Sequence, residues 1–207
     1  MKMNLANKLT VFRMILVPVI AIIPVIDSIV QIPGSFLGIS TAFWIMNIIF
    51  IIASLTDKLD GYIARSRNQV TTFGKFLDPL ADKILVLAAL VILVEYGKIP
   101  AWIPIIVLAR EFIVSGYRLL AVEKGGKVVA ASFWGKLKTA TTMVAIILVF
   151  MDRFNFADFI ARAELEMTTG VFIFNIITTV LMIVSVIATI FSGIDYLKDG
   201  KDLLKDA

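Results

Sequence analysis

The sequence predicts an all-α, polytopic membrane protein with six transmembrane helices and a short N-terminal interfacial segment, and three observations predict it. Apolar residues make up 59% of the 207 positions and charged residues 17%, with a mean hydropathy of +0.94, well outside the range of soluble domains. Six apolar runs of bilayer-crossing length, about 20 residues each, fill the chain and leave only short connectors. The cationic residues are also unevenly placed: with both termini inside, only Lys98, Arg153 and Arg162 fall on the outer side, leaving seventeen of the twenty Lys and Arg on the inner side. The positive-inside rule favours that orientation over its mirror.

The elements follow in order. Lys2, Lys8 and Arg13 precede or open the first span, at roughly 9–26. No small-residue cleavage site follows it, so it reads as a retained span and not as a signal peptide. Ahead of it, Met1 to Asn7 reads as an inner interfacial segment. A connector from Asp27 to Ile39, turning at Pro33-Gly34, leads to the second span at roughly 40–60. Ser66 to Phe73 joins it to the third, at roughly 76–95, and so short a link makes the two helices antiparallel neighbours. Gly97 to Pro100 precedes the fourth span (roughly 100–120), Glu123 to Phe133 the fifth (roughly 136–152), and Asp152 to Thr169 the sixth (roughly 170–193). Arg153 to Met167 mixes Phe154, Phe156, Phe159, Ile160 and Leu165 with charges, which predicts a short amphipathic helix along the outer interface. No connector is long enough for a second domain and no internal repeat is visible, so residues 1–207 read as a single membrane domain.

Histidine and cysteine are both absent. That excludes thiolate nucleophiles, disulfides, imidazole bases, the usual zinc sites and phosphohistidine chemistry, and leaves carboxylate, lysine, hydroxyl and metal. The net charge of +4 reads first as topology, and second as affinity for anionic headgroups or phosphorylated substrates.

Four aspartates stand out against this background: Asp57-x-x-Asp60-Gly61-x-x-Ala64-Arg65, eight residues, then Gly74-x-x-x-Asp78-x-x-x-Asp82. An ionisable group at membrane depth costs several kcal/mol unless it is paired or solvated in a cavity. Asp57 and Asp60 fall at the inner end of the second span, Asp78 and Asp82 at the inner start of the third, and steps of three and four residues put each pair on one helix face. An all-oxygen donor set of this kind suits Mg2+, Mn2+ or Ca2+. Two such cations about 4 Å apart clamp a phosphoryl group during in-line displacement. Gly61 and Ala64 lack bulk, so a substrate can approach the backbone there, and Arg65 supplies charge for phosphate. Taken singly, Asp57, Asp60, Arg65 and Arg67 read equally as a solvated helix end; taken with Asp78 and Asp82 they do not.

The arrangement matches the signature of the CDP-alcohol phosphatidyltransferases, with every position filled across 26 residues by Asp57, Asp60, Gly61, Ala64, Arg65, Gly74, Asp78 and Asp82. The resemblance extends over most of the chain. It implies six transmembrane helices around a cytosol-facing polar cavity, two divalent cations (Mg2+ or Mn2+), a homodimer in a bacterial cytoplasmic membrane, and displacement of CMP from CDP-diacylglycerol by an alcohol. Carried over by position, it makes Asp57, Asp60 and Asp78 metal ligands and Asp82 both a ligand and the general base. Gly61, Ala64, Arg65 and Gly74 would flank the cytidine diphosphate. Adjacent cations depress a carboxylate's pKa, which makes Asp82 a weak base unless the metals also acidify the acceptor hydroxyl.

The fourth span carries Arg110-Glu111-Phe112-Ile113-Val114-Ser115-Gly116-Tyr117-Arg118. Arg110 lies ten residues after Pro100, about 15 Å along a helix and so near mid-bilayer, where a cation faces a cavity or a partner. The alternative is an ion pair with Glu111 or a neighbouring helix that only orders the bundle. Arg118 faces within about 80° of Arg110 and lies nearer the inner surface. Lys136 and Lys138 open the fifth span from the same side. Converging arginines with a lysine make a phosphate pocket, although Lys138, Lys124 and Lys127 also read as ordinary positive-inside residues. The Arg110–Arg118 string, with Ala130-Ala131-Ser132, Gly135-Lys136 and Lys138-Thr139, resembles the branch of the family whose acceptor is sn-glycerol 3-phosphate. That implies Arg110, Arg118 and Lys136 as ligands of the acceptor's phosphate and phosphatidylglycerophosphate as product. Two other readings stand beside it: a cardiolipin synthase of the same fold, and a membrane cation transporter. Transporter sites sit near the midplane on broken helices, and arginines beside a cation path would oppose transport. No feature points to nucleic acid.

Overall fold

A computed structural model describes residues 5–66, 72–123 and 133–199, with side chains at 7–56, 77, 80–120 and 133–198. Six helices account for nearly all of it: α1 (Leu5–Val30), α2 (Thr41–Ser66), α3 (Thr72–Glu95), α4 (Trp102–Glu123), α5 (Phe133–Phe150) and α6 (Thr169–Asp199). Among the described residues, three stretches are long and apolar enough to cross a bilayer: Asn7–Val30, Phe133–Phe150 and Thr169–Lys198, of 24, 18 and 30 residues. Thr41–Thr56 is a shorter apolar helix. Ile29, Ile105, Phe112, Leu119, Ile173 and Val180 are all exposed, a display of apolar surface that water would not tolerate and lipid would.

The chain forms two compact units. The first comprises residues 1–98 and 147–155. Here α1 packs on both α2 and α3, and α2 packs on α3. Ala42, Ala53, Ala81 and Ala89 are fully buried, and their small side chains let the helix backbones approach. Met46, Phe50, Leu85 and Leu90 fill the space between. Pro18 and Pro24 lie inside α1, where each removes one intrahelical hydrogen bond that only an intramembrane or packed helix readily tolerates.

At one end of this unit the connector after α1 forms a hairpin instead of a single turn. Strands β1 (Ser35–Phe36) and β2 (Ile39–Ser40) pair antiparallel, with Phe36 opposite Ile39. Their two-residue loop, Leu37-Gly38, has positive φ at both positions (54° and 74°), the conformation whose twist matches the strands. The Thr41 hydroxyl donates to the carbonyls of Pro33 (3.1 Å) and Gly34 (2.9 Å), and the Trp44 indole donates to the Phe36 carbonyl at 3.1 Å. Two charged clasps close the same end. The Tyr96 hydroxyl donates to Asp27 Oδ2 at 3.2 Å, and Asp27 Oδ1 accepts from the Ile32 amide at 3.1 Å. Lys98 Nζ donates to the carbonyls of Asp152, Arg153 and Phe154 at 2.8, 3.1 and 3.3 Å.

The second unit comprises residues 99–146 and 156–207, with α4 packed on α6. The amphipathic helix expected over Arg153 to Met167 is replaced by one 3-10 turn, Asp158–Ala161. The reason is local. Its amides are claimed by buried side chains of α6: Asn175 Oδ1 accepts from the Phe159 amide at 2.8 Å and Thr179 Oγ1 from the Ala157 amide at 3.1 Å. Ala157 takes a left-handed conformation (φ 64°) that a continuous helix could not pass through.

Candidate active site

All four signature aspartates are helical. Asp57 and Asp60 lie in the last turns of α2 with Gly61, Ala64 and Arg65, and Gly74, Asp78 and Asp82 lie in the first turns of α3. The side chains of Asp57, Asp60, Ala64, Arg65 and Asp78, like the surroundings of Gly61 and Gly74, lie outside the described residues. Asp82 is described: its side chain is half-buried and has polar partners. The donor set, four carboxylates with no histidine or cysteine anywhere in the chain, fits a hard divalent cation.

The same unit buries a polar face of α1. Asn7, Thr10 and Arg13 recur every third residue and are 8%, 1% and 0% exposed. Arg13 reads from sequence as a topological charge, yet it is wholly enclosed and partnered, as a buried guanidinium must be.

In the second unit the structure brings Arg110 and Arg118 to one place. Both guanidinium carbons lie over the ring of Tyr196, at 5.6 and 5.5 Å from its centroid. Arg118 Nη2 donates to Tyr196 Oη at 2.7 Å, and Arg110 Nη2 donates to Ser192 Oγ at 2.5 Å. Tyr196 and Ser192 sit four residues apart on α6 and are almost completely buried. Gly193 lies between them, and a Cβ there would touch Arg110 Cγ at 3.5 Å, so the arginine's stem runs along the α6 backbone.

Arg110 does pair with Glu111, the ion pair that the sequence offered as an alternative: Nη1 donates to Oε1 at 3.0 Å. The pairing is not exclusive, however. The same Oε1 accepts from Lys138 Nζ at 2.5 Å. Arg110, Glu111 and Lys138 all have side chains at most 15% exposed. The lysine that joins the cluster is therefore Lys138, which the sequence left between two readings. Lys136, two residues earlier on α5, is exposed, as a rotation of about 200° between such positions requires.

The charges decide what this cluster can do. Arg110 and Lys138 share the Glu111 carboxylate, and Arg118 meets Arg110 at the Tyr196 ring, so among the described residues three cations gather with one anion and two positive charges are left over. Among the described residues, no acceptor meets the buried Nε of Arg110. A phosphate monoester, which carries about −1.5 to −2 at neutral pH, matches both the charge and the spare donors.

Ser192 and Tyr196 escaped the sequence reading. The signal that would have found them is a polar stripe in the most apolar helix of the chain: Asn175, Thr178, Ser185, Thr189, Ser192 and Tyr196 recur at steps of three, four or seven, and all are at most 3% exposed.

Known proteins resemble this chain over most of its length. The family described as CDP-alcohol phosphatidyltransferase matches residues 3–191. The CDP-diacylglycerol–glycerol-3-phosphate 3-phosphatidyltransferase of Bacillus subtilis is 45% identical over 156 residues, covering 74% of this chain and 79% of its own. The protein of the same name from Haemophilus influenzae is 37% identical over 210 aligned positions, covering 100% of this chain and 98% of its own. That from Rickettsia typhi is 33% identical over 199 positions, 96% of this chain and 97% of its own. A signature filled at every position, and relatives aligned from end to end, leave one assignment: the chain belongs to the CDP-alcohol phosphatidyltransferases.

Proposed function

We propose that the chain transfers the phosphatidyl group of CDP-diacylglycerol to sn-glycerol 3-phosphate, giving phosphatidylglycerophosphate and CMP. The observation that carries the acceptor is the cluster on α4, α5 and α6, in which Arg110, Arg118 and Lys138 outnumber Glu111 and leave a charge that a phosphate monoester balances. A phosphodiester such as phosphatidylglycerol carries a single negative charge and balances it less well. The names of the relatives point the same way.

On this reading Asp57, Asp60, Asp78 and Asp82 hold two divalent cations, Mg2+ or Mn2+, which supply neutralisation of the pyrophosphate and acidify the acceptor hydroxyl. Gly61, Ala64 and Gly74 give the cytidine diphosphate close access to backbone, and Arg65 pairs with its phosphates. Arg110 and Arg118 hold the acceptor's phosphate, and Lys136 adds a mobile charge from the exposed side of α5. Asp82 accepts the proton of the acceptor's hydroxyl as that oxygen bonds to the phosphorus bearing diacylglycerol. The bond from that phosphorus to the bridging oxygen breaks, and CMP leaves.

The remaining features are supported by the helix lengths, the charge asymmetry and the family resemblance: one membrane domain over residues 1–207, six transmembrane passages around a polar cavity open to the cytosol, both termini on the cytoplasmic side of a bacterial cell membrane, and a homodimer.

The test is CMP release from CDP-diacylglycerol by purified protein, with glycerol 3-phosphate, phosphatidylglycerol, serine and inositol phosphate offered in turn. Release with glycerol 3-phosphate alone is the expected result. Release driven by phosphatidylglycerol would instead assign the cardiolipin-forming reaction, and no release with any acceptor would overturn the transferase reading.

A further inference from the structure

Arg110 and Arg118 stand eight residues apart on α4, about 12 Å along its axis and about 80° around it. Two arginines so placed have no intrinsic reason to act together, and like charges brought close repel. What they share is Tyr196. Its ring lies 5.6 Å from one guanidinium carbon and 5.5 Å from the other, its hydroxyl accepts from Arg118 Nη2 at 2.7 Å, and its side chain is 3% exposed.

A tyrosine does here what a carboxylate could not. The negative face of an aromatic ring attracts each guanidinium without cancelling its charge, so the pair stays attractive to an anion. Glu111 shows the contrast: it binds Arg110 and Lys138 through a full negative charge and consumes one of theirs. The hydroxyl adds orientation. With one Nη of Arg118 fixed on Oη, the guanidinium plane is set and the remaining donors are aimed in advance. An arginine not held in this way carries side-chain entropy that a ligand would have to quench.

We infer that Tyr196 is a positioning residue, holding the guanidiniums of Arg110 and Arg118 as one preorganised pair that reads the acceptor's phosphate. This rests on the acceptor assignment proposed above and adds to it a residue from α6 that touches neither reacting atom.

The test uses full-length protein in detergent or vesicles, with saturation curves for CDP-diacylglycerol and for glycerol 3-phosphate. The variants are Tyr196→Phe, Tyr196→Leu, Arg118→Ala and the double variant Tyr196→Phe with Arg118→Ala. Tyr196→Phe keeps the ring and loses one charge-assisted hydrogen bond, so the acceptor KM should rise about tenfold, with the donor KM and the kcat at saturating acceptor little changed. Tyr196→Leu also loses the ring and should raise it about a hundredfold. In the Arg118→Ala background, Tyr196→Phe should add nothing, because the partner of the hydroxyl is already gone. A Tyr196→Phe protein with an unchanged acceptor KM, where Arg118→Ala raises it, would overturn the inference and leave the acceptor assignment standing. So would equal rises for donor and acceptor, or effects of Tyr196→Phe and Arg118→Ala that simply add. An acceptor curve unmoved by Arg118→Ala would overturn the acceptor assignment and this inference with it. Tyr196→Phe is isosteric, so the outcome does not depend on whether Tyr196→Leu folds.

Discussion

At the scale of single residues the chain uses two kinds of charge, and they fail differently. The aspartates of the signature were legible in the sequence because each is an expensive intruder in apolar surroundings and the spacing Asp57-x-x-Asp60, Asp78-x-x-x-Asp82 puts them in register on helix faces. On the proposed reading, Asp57→Asn should cut turnover by several orders of magnitude without lowering the unfolding temperature, and EDTA should silence the unaltered protein reversibly. Asp82→Asn should still retain CDP-diacylglycerol with Mg2+ or Mn2+ while releasing little CMP; loss of donor and metal together would make it a structural ligand. Glu111 belongs to the second kind. Its carboxylate lies between Arg110 Nη1 and Lys138 Nζ, so Glu111→Gln strands two buried cations and should destabilise the fold by about 3 to 5 kcal/mol. Adding Lys138→Met to that variant removes one stranded charge and should recover part of the unfolding temperature, a result that simple loss of packing at Glu111 would not give. The polar stripe of α6 could have singled out Tyr196 as a buried residue, but its partners, like those of Lys138, come from where α5 and α6 bring them and not from local pattern.

At the scale of elements, hydropathy found all six helices but misjudged their ends. The second and third apolar runs stop near residue 60 and begin near 76, whereas α2 runs on to Ser66 and α3 starts at Thr72. The additional turns mix apolar residues such as Ile63 and Phe73 with Arg65, Ser66, Thr72 and Lys75, so they break the apolar run while backbone hydrogen bonding continues the helix. The segment after α5 failed for the opposite reason: its amphipathic pattern suited a helix, but Asn175 and Thr179 take the amides that a helix would need. The clasp between Asp27 near the end of α1 and Tyr96 just beyond α3 offers a measurement of one such tertiary bond. Burial, followed by the charge of Asp27 and the hydrogen bond to it, pushes the Tyr96 hydroxyl up from 10.0 to about 12. A group whose folded value is raised contributes stability that is fully present below the unfolded pKa and is lost as pH rises through the folded one. The unfolding temperature should therefore fall between about pH 10 and about pH 12 more steeply than in Tyr96→Phe, which has no such proton to lose. Parallel curves for the two proteins would show that the clasp does not couple to folding.

At the scale of the whole molecule, the distribution of cations is what the chain offers in place of a membrane boundary. Lys98 and Arg153 belong to the first unit at its hairpin end, where Lys98 is held by three carbonyls and the Arg153 stem lies against Gly38. These are two of the only three cations expected outside, and both are occupied by structure, which leaves little free positive charge there to resist translocation. The opposite assignment would put seventeen of twenty Lys and Arg on the outer face. A chain with no cysteine makes the orientation directly measurable, because a single introduced thiol has no native competitor. Ser35 in the exposed hairpin and Phe133 at the start of α5, which is 72% exposed, would report on the two sides if the proposed topology holds. In intact cells a membrane-impermeant maleimide should label Ser35→Cys and spare Phe133→Cys, and permeabilisation should make both reactive. Labelling of Phe133→Cys in intact cells would invert the topology and place the four aspartates of α2 and α3 on the side away from the cytosolic supply of CDP-diacylglycerol and glycerol 3-phosphate, a geometry in which the proposed reaction could not run.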